Sequence, residues 1–261
     1  MRALQIAASG MSTQQMRVET ISNNLANMST TGYDARRAEF ADLHYQQLTR
    51  PGTIQAADGT AVPTGVQLGL GSRASAVSVQ LAQGPLGQTG GDLDVAIEGA
   101  GYIEVELPDG RQAFTRDGAL KRTAEGLVVT SDGFPVAGAI VIPQDARAIS
   151  INAEGEVFGY FQDRVEPESL GNIGLSIFTN PKGLEAMGSN LFLQSGASGP
   201  PLAGTPGDEG YGTLRQGYLE ESSVDPVREV TELIEAQRGY ELNSKVVTAA
   251  DQMLAATVQI R

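Results

Sequence analysis

A chain of 261 residues suffices for one large domain or two ordinary ones, and a formal net charge of −13 disfavours nucleic acid or an anionic membrane surface as a partner. With no cysteine it has no disulfide, thiolate chemistry or cysteine-ligated metal. Its one histidine, His44, leaves no second ring for a catalytic dyad or zinc site. The charge is uneven: residues 1–45 are net zero and residues 215–261 carry −3, which leaves −10 for the middle. The ends are therefore the apolar part of the molecule.

Residues 2–27 predict a helix of about 26 residues, roughly 40 Å long. Leu4, Met11, Val18 and Leu25 recur every seven residues, with Ala7, Ile21 and Met28 widening the stripe. Gly10 weakens it by up to about 1 kcal/mol relative to alanine. The start of the chain lacks the apolar core of a cleaved signal peptide, and no run approaches the roughly 20 apolar residues of a membrane span. No membrane insertion is expected. Asn23, Asn24 and Asn27 bring carboxamides to the helix end, where they can satisfy orphan backbone groups. Thr31-Gly32 then breaks the helix.

Residues 34–48 suit strand or helix, with His44 expected on the surface or in packing. Residues 46–66 carry Pro51, Gly52, Asp58-Gly59 and Pro63 without apolar periodicity, the composition of a linker. Residues 67–83 alternate toward Val77, Val79 and Leu81, as a strand does. From 91 to 138, Asp109-Gly110, Asp117-Gly118, Glu125-Gly126 and Asp132-Gly133 recur at seven or eight residues, predicting a β-meander of hairpins. Its inward residues are Ile97, Tyr102, Ile103, Val105, Phe114, Leu127, Val128 and Val129. Hairpin turns account for all these carboxylates, so no metal site or acid–base pair is assigned. A second β set follows, with a turn at Glu154-Gly155. Residues 194–212, rich in Gly, Pro and Ser, read as an exposed connection.

Asp225 then caps a helix with Pro226 at its first position. The apolar pattern runs on to Ile260, about 35 residues and 50 Å. Val230, Leu233, Tyr240, Val247, Leu254 and Val258 form one stripe, beside a second of Val246, Ala249, Met253 and Ile260. Two stripes require partners on more than one side. Either the terminal helices dock on their own domain, or they pair and pack against the same pair in other copies.

Asn23-Asn24-Leu25-Ala26-Asn27 followed by Thr31-Gly32-Tyr33 resembles the N-terminal motif of the axial proteins of the bacterial flagellum, the rod and hook family. Gln237-Arg238-Gly239-Tyr240-Glu241-Leu242-Asn243-Ser244-Lys245 resembles the family's matching C-terminal motif. The resemblance covers nearly the whole chain and lies nearest the distal-rod branch. Gly239 departs from the usual alanine, and Asp34 stands where lysine is frequent.

The resemblance implies an α+β fold. Long N- and C-terminal helices form an antiparallel coiled-coil axial pair, and a central all-β domain projects from it. The implied division is 1–45 for the N-terminal axial helix and motif, 46–66 for a rod-specific stretch, 67–214 for the β domain and 215–261 for the C-terminal axial helix. It implies a structural, non-enzymatic role without cofactors: a helical homopolymer forming the distal rod, the drive shaft of the flagellar basal body across the periplasm. Leu4, Met11, Val18, Ile21, Leu25, Val230, Leu233, Tyr240, Val247, Leu254 and Val258 are the expected self-assembly residues. Pro51, Gly52, Asp58, Gly59 and Pro63 are expected to stiffen the rod. Implied partners are other copies, proximal rod proteins, hook protein, the rings of the outer membrane and peptidoglycan, and the flagellar type III export apparatus. Another axial protein of the family, or an adhesin-like β module, is the alternative. The latter needs no apolar helix at each end. A carbohydrate-active enzyme would need sugar-stacking aromatics in a chain that has no tryptophan.

Overall fold

Helix starts and hairpin turns set the frame. The computed structural model describes residues 2–49, 64–162, 164 and 166–259. Residues 50–63 lie outside it, and with them the stiffening candidates Pro51, Gly52, Asp58, Gly59 and Pro63. The chain divides into two units. One comprises Met1–Leu25, Arg36–Ser78 and Asp225–Arg261, and the other Ala26–Ala35 and Val79–Val224.

The first unit holds both long helices, α1 (Arg2–Ala26) and α2 (Pro226–Gln259). The Asp225 carboxylate accepts from the backbone N–H of Val227 at 3.0 Å and of Arg228 at 3.3 Å, the cap that its sequence predicts. Residues 34–48, open between helix and strand in the sequence, form β1 (Arg36–Asp42) and β2 (Tyr45–Thr49). β2 pairs antiparallel with β3 (Val66–Gly69), and β1 pairs with β4 (Ser72–Val79). His44 is exposed.

The second unit is almost entirely β. It contains β5 (Leu86–Gln88), β6 (Val95–Glu98), β7 (Tyr102–Glu106), β8 (Gln112–Thr115), β9 (Lys121–Arg122), β10 (Val128–Val129), β11 (Ala146–Ile151), β12 (Glu156–Phe161) and β13 (Glu168–Asn172). After these come β14 (Leu175–Ile177), β15 (Glu185–Gly188), β16 (Leu191–Leu193), β17 (Leu202–Gly204), β18 (Thr213–Gln216) and β19 (Tyr218–Glu220). A six-stranded sheet runs β15-β16-β8-β7-β14-β17, with a three-stranded sheet β11-β12-β13 and the pairs β9–β10, β6–β18 and β5–β19. Its core is aliphatic, centred on Val95, Ile97, Ile103, Val105, Ile140, Ile142 and Leu175. Of the expected inward residues only Leu127 stays half-buried.

Three of the four meander turns behave as read, with Gly110, Gly126 and Gly133 at φ of 80°, 92° and 91°. Asp117-Gly118 differs. Gly118 is not left-handed; a Cβ there would collide with the Val95 carbonyl oxygen, so glycine permits a close strand approach instead. The Asp117 carboxylate turns inward to accept from Ala119 N–H at 3.0 Å, and burial raises its pKa. β structure also reaches beyond residues 67–214. Strands begin at Arg36, β19 ends at Glu220, and β17 lies within the stretch that reads as a connection. The fold is thus α+β, with a mainly β centre between two helices.

Candidate assembly site

In the first unit, contacts between α1 and α2 run in opposite senses along the two helices. Gly10 faces Asn243, Gln14 lies against Gly239, and Arg17 reaches Glu232 at 3.4 Å and Glu235 at 3.5 Å. Buried positions are small or polar, with one exception in Ile21: Ala7, Thr13 and Asn24 on α1, and Ala236 and Ala250 on α2. At the two glycines the neighbour is a polar side chain of the other helix, Asn243 at Gly10 and Gln14 at Gly239.

The predicted stripes divide accordingly. Ile21 is buried, and Leu4, Met11, Val18, Leu25, Leu233 and Val247 are half-buried. Val230, Tyr240 and Leu254 remain exposed. The Val258 side chain lies outside the described residues. Also exposed on α2 are Val227, Ile234, Leu242, Val246 and Met253, with Val227 at 77% and Met253 at 64%. This unit therefore leaves part of the predicted apolar surface open, chiefly on α2.

Asn24 of the motif does different work from a helix cap. Asn24, 1% exposed, donates to Arg36 O at 2.8 Å and accepts from Arg36 N–H at 2.9 Å, pairing like a strand residue with the start of β1. It also bonds Glu229, whose carboxyl pKa is raised by burial and drawn back down by this bond. Of the C-terminal motif, Gln237, Arg238, Glu241, Ser244 and Lys245 are exposed, while Asn243 donates to Gly239 O at 2.9 Å.

In the second unit the rest of the N-terminal motif is strapped down. Thr30 Oγ1 donates to Asn27 Oδ1 at 3.2 Å. Gly32, at φ 62°, donates its N–H to Glu220 O at 2.8 Å. Asn190 donates to Thr31 O at 2.9 Å, Ser223 N–H to Tyr33 O at 3.0 Å, and Ala35 N–H to Ser223 Oγ at 2.9 Å. Behind this strap lies a buried ion pair, Arg116 to Glu220 at 2.9 Å. Arg116 also donates to Gly101 O and Gly99 O at 3.3 and 3.1 Å, and Glu220 accepts from Gly84 N–H at 3.1 Å. Asp34 stands beside the pair. Burial pushes its carboxyl up to about 6, against the pull of Arg116 and with the push of Glu220. Burial likewise lifts Tyr102 to about 12.

Sequence reasoning finds Thr31, Gly32 and Tyr33 but misses their holders. Arg116, Asn190, Glu220 and Ser223 sit at long separations among ordinary polar residues, and no local pattern marks them. Among the described residues no group of three His, Cys, Asp or Glu could hold a metal, and no helix is long and apolar enough to cross a membrane.

Three family models match the chain: flagella basal body rod protein at residues 4–33, flagellar hook protein FlgE/F/G D1 domain at 96–159, and flagellar basal body rod FlgEFG protein C-terminal at 215–260. The chain is 49% identical over 261 residues to the flagellar basal-body rod protein FlgG of Caulobacter vibrioides, covering 100% of both chains. It is 47% identical to that of Agrobacterium fabrum over 97% of each. With that of Bacillus subtilis it shares 36% identity, over 100% of this chain and 99% of the relative. Matched end to end at such identities, with both terminal motifs inside the matched segments, the chain belongs to the flagellar basal-body rod protein family.

Proposed function

We propose that many copies of this chain assemble helically into the distal rod and transmit torque from motor to hook. The chain is a structural component of the flagellar basal body. Its α1 and α2 pair as an antiparallel coiled coil, these pairs line the axis of the tube, and the β domain of residues 67–214 projects from them. The observation that carries this reading is the open apolar face of α2, where Val227, Val230, Ile234, Leu242, Val246 and Met253 are exposed. So many exposed apolar side chains on one helix mark an interaction surface. A repeated head-to-tail contact between different patches closes into a ring or continues as a filament.

Residues 46–66 act between neighbouring copies as stiffeners through Pro51, Gly52, Asp58, Gly59 and Pro63. Proximal rod proteins, hook protein and the rings of the outer membrane and peptidoglycan are the neighbours, the flagellar type III apparatus exports the chain, and the assembled rod spans the periplasm. Electron microscopy of purified protein at rising concentration tests the assembly. Tubes of uniform width are expected, and Leu242→Glu with Val246→Glu abolishes them while leaving the β unit folded by circular dichroism. A chain that stays monomeric at all concentrations would sink the reading.

A further inference from the structure

A cavity of about 310 Å³ opens in the β unit, walled by Leu81, Tyr102, Ile177, Phe178 and Pro181, with Asp34 and Arg116 among its polar groups. The two charges are not equivalent. Arg116 is consumed by Glu220 and by the carbonyls of Gly99 and Gly101. The Asp34 carboxylate is engaged in no ion pair among the described residues, and Arg116, Glu220 and Tyr102 are the charged or titratable groups around it. The trio Asp34, Arg116 and Glu220 therefore carries one negative charge in excess. A carboxylate at an apolar-walled cavity suits a cation on a long aliphatic stem, whose methylenes cover the wall while the head meets the acid.

We propose that this cavity is a socket for a basic side chain of a second copy of this chain, supplied by the Lys121-Arg122 step of β9. Both residues are exposed on the β9–β10 ladder, with Val128 opposite Arg122 and Val129 opposite Lys121. Neither has an ion-pair partner among the described residues, whereas Arg111, Arg116, Arg164 and Arg215 of the same unit do; Arg147 and Lys182 also lack one but stand singly, so among the described residues of the unit Lys121-Arg122 is the one adjacent pair of such cations. Copies of a chain at −13 repel one another, so a contact that seats a cation on an unpaired acid offsets part of that repulsion. Socket and donor are different patches, the arrangement that propagates a filament. The inference rests on the self-assembly reading above.

The test is the critical concentration for polymer formation, measured by sedimentation of the full chain. D34N raises it several-fold, and so does K121S combined with R122S. D34K raises it tenfold or more, and adding K121D and R122D to D34K in one chain brings it back toward the unaltered protein. K182S, at an exposed lysine next in sequence to the lining Pro181, leaves it unchanged. The inference is overturned if D34N changes nothing, if the charge swap fails to recover, or if K182S reproduces D34N. Should D34K fail to fold by circular dichroism, D34N and the K121S/R122S pair decide alone. If polymers form normally in all variants, only the socket falls; if the unaltered chain never polymerises, the assembly reading falls with it.

Discussion

The Arg116 guanidinium meets the Glu220 carboxylate at 2.9 Å with their side chains only 11% and 3% exposed. Breaking one side of a buried pair leaves an uncompensated charge out of water, which costs about 3–5 kcal/mol. Glu220→Gln keeps an acceptor for Gly84 N–H but strands Arg116. It should destabilise the β unit by about 3 kcal/mol in urea unfolding followed by circular dichroism. A loss under about 1 kcal/mol would show that water reaches the pair.

Asp34 gives stability a pH slope. Its folded-state value of about 6 lies above the ordinary 3.8, so the folded state favours the protonated form. That contribution is full below about pH 4 and is lost as pH rises through about 6. A rise of that size corresponds to about 3 kcal/mol. Asp34→Asn should remove the slope and make the monomer more stable at neutral pH. Parallel pH profiles for the two proteins would contradict this.

Glycine requirements rank by what a Cβ would meet. At Gly118 it collides with the Val95 carbonyl oxygen; at Gly32 it meets the Arg116 carbonyl group at 3.0 Å with φ at 62°; at Gly110, also left-handed, it meets nothing. Alanine should therefore cost most at Gly118, about 2–3 kcal/mol at Gly32 and about 1–2 kcal/mol at Gly110, where only the backbone preference is lost. Thermal unfolding of the three variants checks the order.

The helix pair makes an opposite forecast for its two glycines. A Cβ at Gly239 meets the Gln14 side chain at 3.1 Å, and that amide end can swing aside. Gly239→Ala should raise helix stability by up to about 1 kcal/mol. A Cβ at Gly10 meets Asn243 at 2.9 Å, whose amide is tied to Gly239 O. Gly10→Ala should gain nothing or lose stability. Helicity by far-ultraviolet circular dichroism separates them.

The two helices were legible because Asp225, Pro226 and the apolar repeats are local signals. The hairpins at Gly110, Gly126 and Gly133 were legible for the same reason. What escaped was long-range. Gly118 looks like another hairpin glycine until β6 is laid beside it. Of the open apolar residues of α2, Val230, Tyr240, Val246, Met253 and Leu254 lie in its apolar stripes, but Val227, Ile234 and Leu242 do not, and the polar contacts of Gln14, Arg17 and Asn243 across the helix pair leave no periodic hydrophobic signal. Asn24 looks like a helix cap and instead pairs with Arg36, because a carboxamide can mimic a peptide group wherever a strand begins.

Gly32 and Glu220 are joined by a backbone hydrogen bond across 188 steps of sequence. Closing so wide a loop is entropically slow, and proteins dominated by such distant pairings fold slowly. A chain emerging amino end first holds its strap unlatched until β19 has followed. Locking by this bond is deferred to the last fifth of the polypeptide.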